Sequence, residues 1–127
     1  ELISDHMTTR GMIKSVDVEE LIGPLVLDDL HKTGHDYFPV RDGDIDHVVG
    51  MLHIHDLASL KIKQSAKARD LMTHAISFIN QDQTIASALK VFTRDAPGLL
   101  IVRDSNNQTT GVLSLKDVVD VLLDKDK

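Results

Sequence analysis

Apolar and polar positions in this chain fall into short runs divided by turn residues, and one order of runs occurs twice. In the first half, residues 11–16 read as a strand, and Asp17 as the cap of a short turn. Pro24, after Gly23, suits the first position of a helix that runs to about Lys32, and Gly34 supplies its stop. Residues 37–40 form the next strand, with Pro39 placing it at an edge or at a strand start. Asp42-Gly43-Asp44 is a hairpin signal; 48–54 is the return strand, and Asp56 opens a short helix over 57–60. In the second half, residues 76–79 are a strand. Asp82 is placed to cap a helix whose Ile85, Ala88, Leu89 and Phe92 fall at the spacing of a buried stripe. Residues 99–102 are an unbroken apolar strand, the mark of burial on both faces. Ser105-Asn106-Asn107 is the turn, 110–113 the return strand, and 115–124 a helix with a broad apolar face.

The repetition extends to the residues themselves. Val40-Arg41-Asp42 returns as Val102-Arg103-Asp104, 62 residues on. Gly50-Met51-Leu52-His53-Ile54-His55-Asp56 returns as Gly111-Val112-Leu113-Ser114-Leu115-Lys116-Asp117, 61 residues on. Asp5-His6-Met7-Thr8 matches Asp70-Leu71-Met72-Thr73 at an offset of 65. A half-length repeat in 127 residues is a tandem duplication of one β-α-β-β-α unit. Two helices cannot cover the strands of such a unit, so two units packed sheet to sheet, with pseudo-two-fold symmetry, would bury a shared core. The expected fold class is therefore mixed α+β, with repeat 1 over 1–60, a polar connector over 61–67 and repeat 2 over 68–127. The chain opens mid-pattern and without Met, which reads as a fragment of a longer protein.

Composition narrows the function classes. Hydrophobic residues make up 42% of the chain but aromatics only 3%, so the core is aliphatic. A formal net charge of −6 argues against nucleic-acid binding and against docking on an anionic membrane surface. There is no cysteine, which excludes disulfides and thiolate metal sites and permits a reducing compartment. No run approaches the ~20 apolar residues that span a bilayer, and no signal peptide is visible. No P-loop, no G-x-S-x-G and no dinucleotide fingerprint is present, so the expectation is a protein that is not an enzyme.

The duplicated unit and its G-h-x-[S/T]-x-x-D signature resemble a pair of cystathionine-β-synthase (CBS) domains, a Bateman module, over nearly the whole chain. Met7-Thr8-Thr9-Arg10, Phe38-Pro39-Val40 and the run from Asp44 to Leu57 are similar to the haemolysin-C/CorC-type proteins linked to magnesium and cobalt efflux. The second repeat departs from that pattern, with Asp104-Ser105-Asn106-Asn107 where the family has an acidic-aromatic-Gly-Gly turn. The resemblance implies a cytoplasmic regulatory domain of a membrane protein. It implies a homodimer of CBS pairs joined through helix faces around Leu57 to Leu60 and Val118 to Leu122, and an adenine nucleotide (AMP, ADP or ATP, with or without Mg²⁺) as ligand.

By the same resemblance, Asp117 accepts the ribose hydroxyls, two at once as a carboxylate can, and Ser114 donates to a phosphate beside a helix N-terminus. Asp56 would serve a second ribose, with His53 in place of the hydroxyl residue. Further contacts would come from Ile13, Tyr37, Ile76, Pro97, Gly98 and Leu99, whose segments can offer an apolar slot and backbone hydrogen bonds to adenine. Each assignment has a plainer counterpart. Ser114-Leu115-Lys116-Asp117 is also a capping box, Asp56 also a plain N-cap, and Tyr37 ordinary packing. Arg10, Arg41 and Arg103 could each pair with phosphate, or simply be solvated. His53 and His55 at i, i+2 invite a metal reading, but no third and fourth ligand sits at useful spacing. Asp42 to Asp46 is like a calcium loop without its terminal Glu. The remaining alternative is a structural dimerisation module with no functional ligand site.

Overall fold

The computed structural model describes residues 1–59 and 66–124. The chain divides into two compact units: unit 1 is built from Glu1–Ile13 and Ile76–Lys127, unit 2 from Lys14–Ala75. In chain order the elements are β1 (Thr8–Thr9), β2 (Val16–Asp17), β3 (Leu21–Ile22), α1 (Pro24–Lys32), β4 (Tyr37–Arg41), β5 (Val48–His53) and α2 (Ile54–Ser59). Then follow β6 (Ala66–Lys67), α3 (Ala68–Leu71), β7 (Ser77–Asn80), α4 (Ile85–Asp95), β8 (Leu99–Arg103), β9 (Thr109–Ser114) and α5 (Leu115–Asp124).

The units do not follow the repeat boundaries at 60 and 68, because the leading segment of each repeat is exchanged. In unit 1 the first residues are laced to the second repeat. Ile3 N–H donates to Gln83 O (2.9 Å), Ile85 N–H to Glu1 O (2.9 Å), and β1 pairs antiparallel with β9, Thr8 opposite Val112 and Thr9 opposite Gly111. Unit 2 repeats the arrangement with the later segment. Ala68 N–H donates to Glu20 O, β6 pairs with β3, and Met51 and Thr73 exchange two backbone hydrogen bonds of 2.9 Å. Lys67, expected in the connector, is thus half of a strand; the connector residues 61–65 lie outside the described ones.

The duplicated glycine and the duplicated Met-Thr explain each other. Gly111 lies against Met7 and the Thr8 carbonyl, and Gly50 against Met72 and the Thr73 carbonyl, so close that a Cβ at either would overlap them. The absence of a side chain is what lets the exchanged segment lie on the sheet.

In unit 1 the strand order is β1-β9-β8-β7, with β7 parallel and β9 antiparallel to β8. In unit 2 it is β2-β4-β5, and β4 is the middle strand although it contains Pro39. The expected edge position is corrected by length: β2 reaches only Val40 and Arg41, so among the described residues no strand pairs with Pro39 on that side. Each unit has its own aliphatic cluster. Ile22, Leu30, Phe38, Val40, Leu52 and Leu57 lead that of unit 2; Ile3, Ile85, Phe92, Leu100, Val102, Leu113 and Val118 lead that of unit 1. β8 is buried from Leu99 to Val102, as its unbroken apolar run predicts.

Local expectations are corrected at several points. The strand over 11–16 is a 3₁₀ turn at Arg10–Met12 followed by the two-residue β2. α2 begins at Ile54, so Asp56 is its third residue and not its opening. The helix after β7 is capped by Thr84, whose Oγ1 accepts from Ser87 N–H at 3.1 Å, and not by Asp82. Asp82 instead closes a turn, its N–H donating to Asn80 Oδ1. Thr84→Ala should therefore cost about 1 kcal/mol in urea unfolding, and Asp82→Ala under about 0.5 kcal/mol; equal costs would return the cap to Asp82.

Candidate functional site

In unit 1, β9 ends where α5 begins, and the junction holds the two residues singled out there. Ser114 N–H donates to Asp117 Oδ2 (2.9 Å) and Asp117 N–H to Ser114 Oγ (3.1 Å), a reciprocal capping box. The box uses one lone pair on each side chain. The Ser114 hydroxyl keeps its O–H donor, and the carboxylate keeps Oδ1. Both residues are half-buried at the N-terminus of a ten-residue helix, where the backbone N–H groups favour negative charge. Lys116 points away into an i, i+4 pair with Asp120 (2.8 Å); that hydrogen bond first, and the Asp120 charge second, raise its pKa.

Other predicted residues of unit 1 gather at the same end of the sheet. Leu99 is the register partner of Ser114 on β8. Pro97 and Gly98 form the loop leading to it, after Ala96 turns the chain through a left-handed conformation (φ 47°). Ile76 precedes Ser77, which pairs with Leu100. Ile13 closes the exchanged segment after its 3₁₀ turn, so it belongs to the unit of Asp117 and not to that of Tyr37.

In unit 2 the corresponding end is built from rings. Tyr37 and His53 face each other across β4 and β5 and stack, with centroids 4.4 Å apart and planes 6° from parallel. His53 stands where Ser114 stands in unit 1, and its Nδ1 lies 3.3 Å from Asp56 Oδ2. His55 meets the His53 ring edge-on (5.3 Å, 82°), and its Nε2 lies 3.2 Å from Asp36 Oδ1. His53 and His55 do not share a strand face, because the helix starts between them. Among the described residues no group of three or more His, Cys, Asp or Glu is arranged to hold a metal ion. Asp36 lies 19 residues from His55, and the register of β4 on β5 brings them together.

The three arginines separate clearly. Arg41 is spent on Asp17 Oδ1 (3.3 Å), Ser15 Oγ and Gly43 O. Arg10 donates to Thr109 O at 2.8 Å and lines a polar cleft of about 510 Å³ with Thr9, Gly11, Asp104, Gln108 and Thr110. Arg103 lies over the Phe78 ring. Of the apolar faces expected to join two copies, Leu57, Val118 and Val121 are core residues. Leu115, Val119, Leu122 and Leu123 are the exposed ones on α5. Leu60 lies outside the described residues.

Comparison with known proteins agrees with this architecture. Residues 68–124 match the CBS domain family. The possible haemolysin C of Rickettsia bellii is 27% identical over 122 residues, which is 95% of this chain and 40% of that protein. A haemolysin-like protein containing a CBS domain from Oenococcus oeni superposes with a TM-score of 0.81 at 26% identity, over 94% of this chain and 88% of that one. The CBS domain of a bacterial CNNM/CorC family Mg²⁺ transporter in complex with ATP superposes with a TM-score of 0.82 at 23% identity, covering 96% and 87%. Residues 68–124 are thus similar to a CBS domain, and the chain has haemolysin-C/CorC-like homologues. It spans less than half the length of the curated relatives it matches. Among its described residues no helix is long and apolar enough to cross a membrane.

Proposed function

We propose that this chain is a regulatory CBS-pair module that binds an adenine nucleotide and does not turn it over. In this reading it is a cytoplasmic part of a membrane protein concerned with divalent-cation transport. The observation that carries the reading is the Ser114–Asp117 junction: the capping box fixes both side chains yet leaves a carboxylate oxygen for a ribose hydroxyl and a hydroxyl donor for a phosphate. The ATP complex of a structurally similar transporter domain supports the choice of ligand. In the first half Asp56 would take the second ribose, with His53 held ready beside it by Tyr37. Ile13, Ile76, Pro97, Gly98 and Leu99 would supply the apolar slot.

A second reading, a structural dimerisation module, is favoured by one observation: four large apolar side chains, Leu115, Val119, Leu122 and Leu123, stand exposed on α5. The two readings differ in thermal unfolding. A nucleotide site predicts stabilisation by AMP, ADP or ATP, with or without Mg²⁺, of about 2.7 kcal/mol at a hundredfold excess over Kd. Asp117→Ala should lose about 1 kcal/mol of baseline stability with its cap, and all of the nucleotide response. A melting temperature that rises with protein concentration and ignores every nucleotide would leave the dimerisation module standing.

A further inference from the structure

The two units carry an arginine at the same place and treat it differently. β2 lies parallel to β4 with Asp17 opposite Arg41, and β7 lies parallel to β8 with Asn80 opposite Arg103. Arg41 and Arg103 therefore hold equivalent register positions, as do Asp17 and Asn80. In unit 2 the cation is neutralised by Asp17 at 3.3 Å and held by the Gly43 carbonyl at 2.8 Å. In unit 1 the carboxylate has become an amide, and Arg103 makes no ion pair among the described residues.

What replaces the carboxylate is a ring. The Arg103 guanidinium carbon sits 3.8 Å from the centroid of Phe78. Phe78 is 40% exposed on β7, the outer strand of its sheet. A guanidinium over an aromatic face engages the ring through its charge and keeps its fork of N–H donors for an oxyanion. Beside it is a cleft of about 130 Å³ lined by Phe78, Ile79, Asn80, Arg103, Asp104 and Asn107. The Asn80 carbonyl oxygen already accepts from Asp82 N–H, so its amide nitrogen remains as a donor. Asp104 contributes a carboxylate to the rim, but its Oδ1 accepts two backbone N–H groups of the turn, from Asn106 and Gln108.

We infer that this cleft is a binding site for a single oxyanion group, phosphate or carboxylate, carried by a second molecule. It is separate from the Ser114–Asp117 junction. Arg103 pairs with Thr109 at one end of the β8–β9 ladder and Leu99 with Ser114 at the other, which at ~3.3 Å per residue puts about 13 Å between them.

The test is a side-chain NMR titration of the whole ¹⁵N-labelled chain with inorganic phosphate, and separately with acetate, against sodium chloride at matched ionic strength. The Arg103 Nε–H signal and the Asn80 and Asn107 amides should move saturably with one or both oxyanions, while Arg41 stays still; the two arms tell phosphate from carboxylate. Asn80→Asp keeps the acceptor that Asp82 uses and restores the arrangement around Arg41. It should weaken the titration by about tenfold or more, because a carboxylate then faces the incoming anion. An Arg103 signal that follows ionic strength alone, or an Asn80→Asp variant that titrates like the wild type, would overturn the site.

Discussion

Gly111→Ala is expected to destabilise unit 1 by about 3 kcal/mol, at the upper end of what overpacking costs. The new methyl would overlap the Thr8 carbonyl oxygen and lie 2.7 Å from Met7 Sδ. A methionine side chain can move aside, but a backbone carbonyl within a β-ladder cannot move without breaking the pairing of β1 with β9. Gly50→Ala is the matched control in the other unit. Its nearest obstacle is the flexible Met72 side chain, with the Thr73 carbonyl at 2.8 Å, so its cost should be smaller. Urea unfolding of the two variants gives the comparison. A Gly111→Ala protein within about 0.5 kcal/mol of the wild type would mean that the close approach does not hold the segment in place.

Ile3→Ala should cost about 2–5 kcal/mol, although the residue lies at the edge of the sequence. Ile3 is fully buried and packs with Ile85, Phe92 and Leu100 in the cluster of unit 1. Deleting residues 1–13 goes further. It removes Ile3, Met7 and β1, and it strips partners from Ile85 N–H and from the Gln81 and Gln83 carbonyls. Against a typical domain stability of about 5–15 kcal/mol, unit 1 should then lose its cooperative fold. The cluster of unit 2 contains no residue from that segment, so its amides should stay protected. Hydrogen exchange resolved by residue is the measurement: continued protection of Leu100 to Val102 in the truncated chain would contradict the exchange. A chain cut at the repeat boundary, 68–127, should fail in the same way.

Much of this architecture was legible because it is periodic. The helix from Pro24, the strands β4, β5, β8 and β9, the turn at Asn107 and the last helix all sit where patterning puts them, and the capping box at Ser114 and Asp117 is a local signal read locally. What was not legible depends on partners distant in sequence. β1, β2, β3 and β6 are two residues long, too short to show a period, and they exist because something pairs with them. The two Met-Thr motifs were visible, but that each meets the glycine of the other repeat follows only from the fold. The placement of Pro39 in a middle strand is of the same kind: the sequence carries the residue, and the length of β2 decides whether it is tolerated. In the first half of the candidate site, Asp36 and His55 became neighbours only through strand register.

The exchange of leading segments also sets an order of events at the ribosome. Residues 14–75 are contiguous, so unit 2 is complete in the nascent chain before most of unit 1 has been made. Glu1 to Ile13, already synthesised, must wait for β9 and the last helix. At about 5–20 residues per second that is a delay on the order of 10 s, during which Ile3 and Met7 have no core to enter. This leading segment is made before unit 2 yet is among the last to find its place, and a chaperone that holds short exposed apolar segments would meet it in that interval.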